Sequence, residues 1–177
     1  MKRIVLSLVL AVLFASQAFA VEHEAVAVGF HHVSAPLGIR WWFTDTQSMA
    51  FDIGIGFSSR DEGEDRETDF NLDLGLPILL KSWDRVHFLF RPGFGYTSYS
   101  RTFGDEVERG SFISILAELE AEVFITEQFS VSASHGLGIF IDSPPEPEGQ
   151  EFDSTTDFAT IGNNITDIGF HLYGLWD

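Results

Sequence analysis

The sequence predicts an all-β protein: an eight-stranded, antiparallel, up-and-down transmembrane β-barrel that follows a cleaved signal peptide. Three observations predict it. The chain opens on the pattern of an export signal. Beyond it, apolar and polar residues alternate with period two. The connections between these runs alternate between short and long.

The opening segment carries Lys2 and Arg3, then the apolar run Ile4 to Phe14 broken only by Ser7, then the small-x-small site Ala18-Phe19-Ala20. These are the three parts of a secretory signal peptide, and the apolar run is too short for a spanning helix. The chain contains no cysteine, so lipid attachment at a cysteine after the signal is closed as an anchoring route. The expected division is a signal peptide over 1–20 and a barrel domain over 21–177. Cleavage removes two of the ten basic residues and none of the 27 acidic ones, leaving a net charge of −19. That acidity argues against nucleic acid as a partner, because phosphate binding needs a basic patch. A small exported domain without disulfides needs another source of stability, such as a closed hydrogen-bonded barrel.

The strands follow in chain order. Glu24 to His32 supplies a first strand and Leu37 to Phe43 a second, joined near Ser34-Ala35-Pro36. Met49 to Ser59 turns Phe51, Ile53, Ile55 and Phe57 one way and Asp52, Gly54, Gly56 and Ser58 the other. Asp69 to Leu80 sets Phe70, Leu72, Leu74, Leu76, Ile78 and Leu80 against Asp69, Asn71, Asp73 and Gly75. Val86 to Ser98 sets Phe88, Phe90, Phe94 and Tyr96 against His87, Arg91, Gly93, Gly95 and Thr97. Ser111 to Phe124 contains helix-forming residues, yet Ile113, Ile115, Leu119 and Val123 alternate strictly with Ser114, Glu118, Glu120 and Glu122. Phe129 to Asp142 repeats the pattern. The final run sets Ile168, Phe170, Leu172 and Trp176 against Asp167, Gly169, His171 and Tyr173. Helical spacing would mix these classes instead of separating them.

Thr44 to Ser48, Ser82 to Arg85 and Thr126 to Gln128 are short connections. Arg60 to Thr68, Arg101 to Gly110 and Ser143 to Asp157 read as long, polar, acidic loops. Short turns on one side and long loops on the other, with an even strand number, is the pattern of an outer-membrane barrel. Phe158 to Thr166 extends the last strand or belongs to the loop before it.

If the apolar face meets lipid, the same alternation turns Arg40, Asp52, Asp73, Arg91, Glu118, Glu120 and Glu122 into the lumen. An eight-stranded barrel is just wide enough for side chains to fill it. Buried charges must pair, so the expectation is an ion-pair network that plugs the lumen; a gated ion path is the sharper alternative. Glu118, Glu120 and Glu122 share one strand face and invite a divalent cation. The two arginines can satisfy them instead, and no His or Asp ligand spacing supports a metal, so no cofactor is expected. Trp41, Trp42, Phe43, Trp83 and Trp176 lie near short turns, and Phe94, Tyr96, Tyr99 and Phe103 lie toward the loop side. Two such bands suit the aromatic girdles of a membrane's two interfaces.

The stretch Pro36-Leu37-Gly38-Ile39-Arg40-Trp41-Trp42-Phe43-Thr44-Asp45, followed by Phe51-Asp52-Ile53-Gly54-Ile55-Gly56-Phe57, resembles the early hairpin of small OmpA/OmpX-type outer-membrane barrels. Asp167-Ile168-Gly169-Phe170-His171-Leu172-Tyr173-Gly174-Leu175-Trp176 resembles the assembly signal carried by the final strand of that class, although Asp177 follows the terminal aromatic. The resemblance covers residues 21–177 as pattern more than as exact motif. It implies location in the outer membrane of a Gram-negative bacterium, exposure at the cell surface, contact with lipid and lipopolysaccharide, insertion by the barrel-assembly machinery, and a monomer. The family's peptidoglycan-binding role is not carried over, since no periplasmic domain follows. Some barrels of similar size deacylate lipid A, with a Ser two residues after a His on one face. Here Leu137 holds that place and Ser134 lies opposite His135, so no catalytic residue is assigned. The functional expectation is a non-enzymatic barrel with a plugged lumen and a structural or surface-interaction role. A narrow channel is the alternative, and a lipid-modifying enzyme stands behind both.

Overall fold

Residues that alternate apolar and polar suit a surface with two unlike faces, and here they form strands almost throughout. The computed structural model describes residues 26–30, 35–43, 48–62, 65–103, 106–145, 153–159 and 166–174, so the expected signal peptide over 1–20 lies outside them. The strands are β1 (Val26–Phe30), β2 (Leu37–Trp42), β3 (Ala50–Glu62), β4 (Asp65–Gly75), β5 (Ile78–Trp83), β6 (Val86–Phe103), β7 (Glu106–Phe124), β8 (Phe129–Ser143), β9 (Thr155–Ala159) and β10 (Thr166–Tyr173). β7 is one strand of 19 residues despite its helix-forming composition.

The ten segments make eight staves. β4 and β5 both pair with β6, and β9 and β10 both pair with β8. Every neighbouring pair is antiparallel, and β10 closes the ring on β1 from Ala27↔Tyr173 to Phe30↔Phe170. The protein is therefore an all-β, closed, eight-stranded antiparallel barrel.

The fourth stave is not the continuous strand Asp69 to Leu80 that the alternation suggests. It breaks at Leu76-Pro77, where proline has no N–H to give to a ladder. The Pro77 carbonyl still accepts from Ala50 N at 2.8 Å, and Leu76 N donates to Pro92 O at 2.9 Å. A bulge between Leu79 and Lys81 then shifts the register against β6. Leu79, before the bulge and of the same parity as Asp73 and Gly75, lies opposite Leu89 and is fully buried. Ile78 keeps the outward side opposite Phe90, and it is the bulge that turns Lys81 and Trp83 outward, against the parity of Asp73 and Leu79.

The expected long loops Arg60 to Thr68 and Arg101 to Gly110 are strand for most of their length. The β3–β4 ladder continues to Glu62↔Asp65 and the β6–β7 ladder to Phe103↔Glu106. Opposite charges occupy partner positions at Arg60↔Glu67 and Arg101↔Glu108, an arrangement worth about 0.2–1 kcal/mol per pair. Charge in these segments thus supports pairing rather than marking irregular chain. The third connection is also shorter than Ser143 to Asp157, because β9 begins at Thr155 and places Phe158 in strand beside Ile139. Residues 160–165 lie outside the described part.

At the opposite end the turns are tight. Asp84 adopts a left-handed φ of 36° between Trp83 and Val86, a conformation that Asp tolerates. Thr126 Oγ1 accepts from Phe129 N at 3.0 Å and closes the β7–β8 turn.

Burial is inverted relative to a water-soluble domain. Among the described residues, 22 large hydrophobic side chains are exposed, whereas the ten buried ones include three alanines. Leu37 is 70% exposed, Phe57 73% and Ile168 65%, while Arg40 and Asp52 are fully buried. β2 shows the inversion residue by residue, with Leu37, Ile39 and Trp41 outside and Gly38, Arg40 and Trp42 inside.

Candidate functional site

Period two, applied around a closed ring, brings side chains from distant strands to one axis. All seven sequence-selected lumen residues, Arg40, Asp52, Asp73, Arg91, Glu118, Glu120 and Glu122, are buried there and joined in one network. Arg40 on β2 grips Asp52 on β3 with two parallel bonds, Nε to Oδ1 and Nη2 to Oδ2, each 2.9 Å. Across the lumen it donates to both Glu120 oxygens at 2.9 and 2.8 Å and to Glu122 at 3.1 Å. Arg91 on β6 donates to Asp52 at 3.0 Å and to Glu118 at 2.6 Å, and also to Asp73. Asp52 therefore bridges the two guanidinium groups. Bidentate guanidinium–carboxylate pairs are the stronger and more directional class of ionic hydrogen bond.

Gly75 makes room for this arrangement. A Cβ at Gly75 would fall 2.3 Å from Arg91 Nε, so any side chain there displaces the guanidinium.

Two guanidinium groups face five carboxylates, and neutral donors share the load. Ser130 Oγ donates to Glu122 at 2.5 Å, Tyr173 Oη to the same oxygen at 2.8 Å, and Ser134 Oγ to Glu118 at 3.2 Å. His171 Nδ1 lies 3.3 Å from Glu122 Oε1, and Asp167 is buried beside the network. The void left among these groups is about 10 Å³, near the lower limit for a single water. Tyr173, Ser130 and His171 were not singled out from the sequence. Their two-residue spacing from Asp167 and Ser132 is the signal that marks them.

Below the charged layer, toward the short turns, the lumen is apolar. Trp42, Ala50, Leu79, Leu89, Phe124 and Tyr173 form a buried cluster. His87 packs edge-on against Phe124 at 4.9 Å and Trp42 at 6.2 Å between ring centroids. Trp42 Nε1 approaches Tyr173 Oη at 3.4 Å, so Tyr173 links the apolar layer to Glu122. Trp42 thus leaves the expected aromatic belt, because β2 parity puts it on the face of Arg40. Tyr99 leaves it for the same reason: on β6 it shares parity with Arg91 and donates to Asp142 at 3.0 Å inside the barrel. Trp41, Phe43 and Trp83 are exposed outside at the short-turn end, and Phe94 and Tyr96 lie on the outer face of β6. Trp176 and the side chain of Phe103 fall outside the described residues.

Ser134 points into the lumen, while His135 is exposed on the outer face opposite Leu119. Serine and histidine therefore do not meet.

No protein-family model matches this chain, and no curated protein or solved structure does so. The fold and the network define its class: a closed eight-stranded barrel with a charged, ion-paired interior and an apolar exterior.

Proposed function

We propose that the protein is a non-enzymatic outer-membrane β-barrel of the small OmpA/OmpX type, with a plugged lumen and acidic hairpins at the cell surface of a Gram-negative bacterium. Its role is structural or one of surface interaction. The observation that carries this reading is the inversion of burial: charges inside a closed ring, large hydrophobic side chains outside it. A soluble monomer rarely exposes apolar patches beyond a few hundred Å². In lipid the same surface is favoured, and a closed barrel satisfies every backbone group within the ring.

Further support comes from the export-signal pattern of residues 1–20 and from the exposed Trp41 and Trp83 at the short-turn end. The charged layer above an apolar layer supports a plugged interior rather than a conducting one. The opposite orientations of Ser134 and His135 support a non-enzymatic role, since a serine nucleophile needs its base within hydrogen-bond reach. Lipid and lipopolysaccharide are the expected surroundings, the barrel-assembly machinery the transient partner, and a monomer the working form.

Fractionation of the native host tests the reading. The protein is expected in the outer membrane and to migrate faster on a gel when unheated than when boiled. Recovery in a soluble fraction, with no change of mobility on boiling, overturns it. Reconstitution in a planar bilayer addresses the plug: steady single-channel conductance would replace the plugged barrel by a channel.

A further inference from the structure

Beyond the charged layer, toward the long hairpins, the lumen widens into a cup of about 310 Å³. That volume lies at the small end of ordinary ligand pockets, which span about 300–1,000 Å³. Asp73, paired with Arg91, lines its floor. Phe112 on β7 and Phe140 on β8 stack in its wall with centroids 5.6 Å apart and an interplanar angle of 22°. Leu116 completes an apolar side. The facing polar groups are Asn71, Thr97, Tyr99, Ser114 and Asp142, with Tyr99 donating to one Asp142 oxygen. The second Asp142 oxygen takes no hydrogen bond among the described residues, and Asp142 is only partly buried.

We propose that this cup binds a small organic cation, an amine carrying an apolar or aromatic group. The ionisable groups that line it are Asp73, Tyr99 and Asp142, and no basic side chain lines it. Asp73 is committed to Arg91, which leaves Asp142 as the carboxylate able to meet an ammonium group. The stacked phenyl rings offer an apolar bed, and aromatic faces attract cations. Tyr99 already accepts one at the rim, the guanidinium of Arg101, 5.0 Å from its ring centroid. The field outside favours the same sign, because the chain carries a net charge of −17. An anion would meet the Asp142 carboxylate, and the cup lining supplies no cation to offset it. This inference needs the closed barrel and its interior but not the membrane, so it stands or falls apart from the proposed location.

The test uses the purified, folded, full-length barrel in detergent, titrated with phenethylammonium while the Phe112 and Phe140 ring resonances are followed by NMR. Phenylacetate and 2-phenylethanol serve as the anionic and neutral counterparts, which also correct for partition into the detergent. Saturable shifts with phenethylammonium are expected, with none for phenylacetate and markedly weaker ones for 2-phenylethanol. Asp142→Asn keeps an acceptor for Tyr99 but removes the charge, and should weaken binding about tenfold or more, as loss of an ionic hydrogen bond does. Equal binding of the neutral alcohol, unchanged affinity in Asp142→Asn, or no saturable shift in the millimolar range overturns the proposal. Should Asp142→Asn not fold, the comparison of the three probes on the parent protein decides alone.

Discussion

Arg40 is the perturbation that most directly probes the interior. Arg40→Met keeps the length of the side chain but removes five hydrogen bonds to Asp52, Glu120 and Glu122. The three carboxylates do not lose equally. Asp52 retains Arg91, and Glu122 retains Ser130 and Tyr173. Glu120 has no other hydrogen-bond partner among the described residues, and it is 3% exposed. The loss therefore resembles one broken buried pair, about 3–5 kcal/mol, rather than three. With a urea dependence of about 2 kcal/mol per molar, the unfolding midpoint should fall by about 1.5–2.5 M. The assay follows tryptophan emission and gel mobility of unheated samples across a urea gradient. Arg40→Met/Glu120→Gln should recover much of the loss, because it neutralises the carboxylate left stranded. Arg40→Lys should fall between parent and Arg40→Met, since an ammonium group cannot reproduce the paired fork. A midpoint unchanged in Arg40→Met, or a double variant no more stable than the single one, would refute the reasoning that charge pairing holds this layer.

Tyr173→Phe removes the hydroxyl that joins Trp42 to Glu122, and a bond to a charged group contributes about 1.5–3 kcal/mol. Its urea midpoint should drop measurably while the unheated form still migrates as a closed barrel; an unaltered midpoint would show that the link carries no stability. Gly29→Ala puts a Cβ 1.9 Å from the Phe170 carbonyl oxygen, on the ladder that closes the ring. It should destabilise by about 1–3 kcal/mol or more and reduce the fraction of fast-migrating form. Gly93→Ala, whose nearest new contact is 3.1 Å, should do less, and equal behaviour of the two would argue against a tight β1–β10 seam. Cysteines at Val107 and Asp153 should react with an impermeant thiol reagent on intact cells. A cysteine at Glu127 in a short turn should react only once the outer membrane is broken, and the reverse pattern inverts the orientation.

The long hairpins and the aromatic belts show where reading by segment falls short. Arg101 to Gly110 is polar and acidic, which suggests loop, yet Arg101↔Glu108 and Ser100↔Arg109 are cross-strand partners. Symmetric placement of opposite charges about a turn was legible there, but composition outweighed it. Nearness to the chain's turns groups Trp42 and Tyr99 with the belts, whereas parity with Arg40 and Arg91 assigns them to the interior. Lys81 and Trp83 required more than parity, because the bulge after Leu79 resets the alternation and turns both outward.

By itself the sequence determined the strand class, the number of staves and the face of nearly every charged residue, because a two-residue period is a local property of an extended backbone. Which charges meet was decided only by the tertiary structure. Arg40 and Glu120 are 80 residues apart, and they join because strand tilt and register bring β2 and β7 to the same height across the lumen. Tilt and register belong to the closed ring as a whole, through its strand number and shear. The same closure separates the interior into an apolar layer at Leu79 and Leu89, a charged layer at Arg40 and Arg91, and a cup at Phe112 and Phe140. Alternation along one strand says that a side chain faces inward; only the packed ring determines its height and its neighbours.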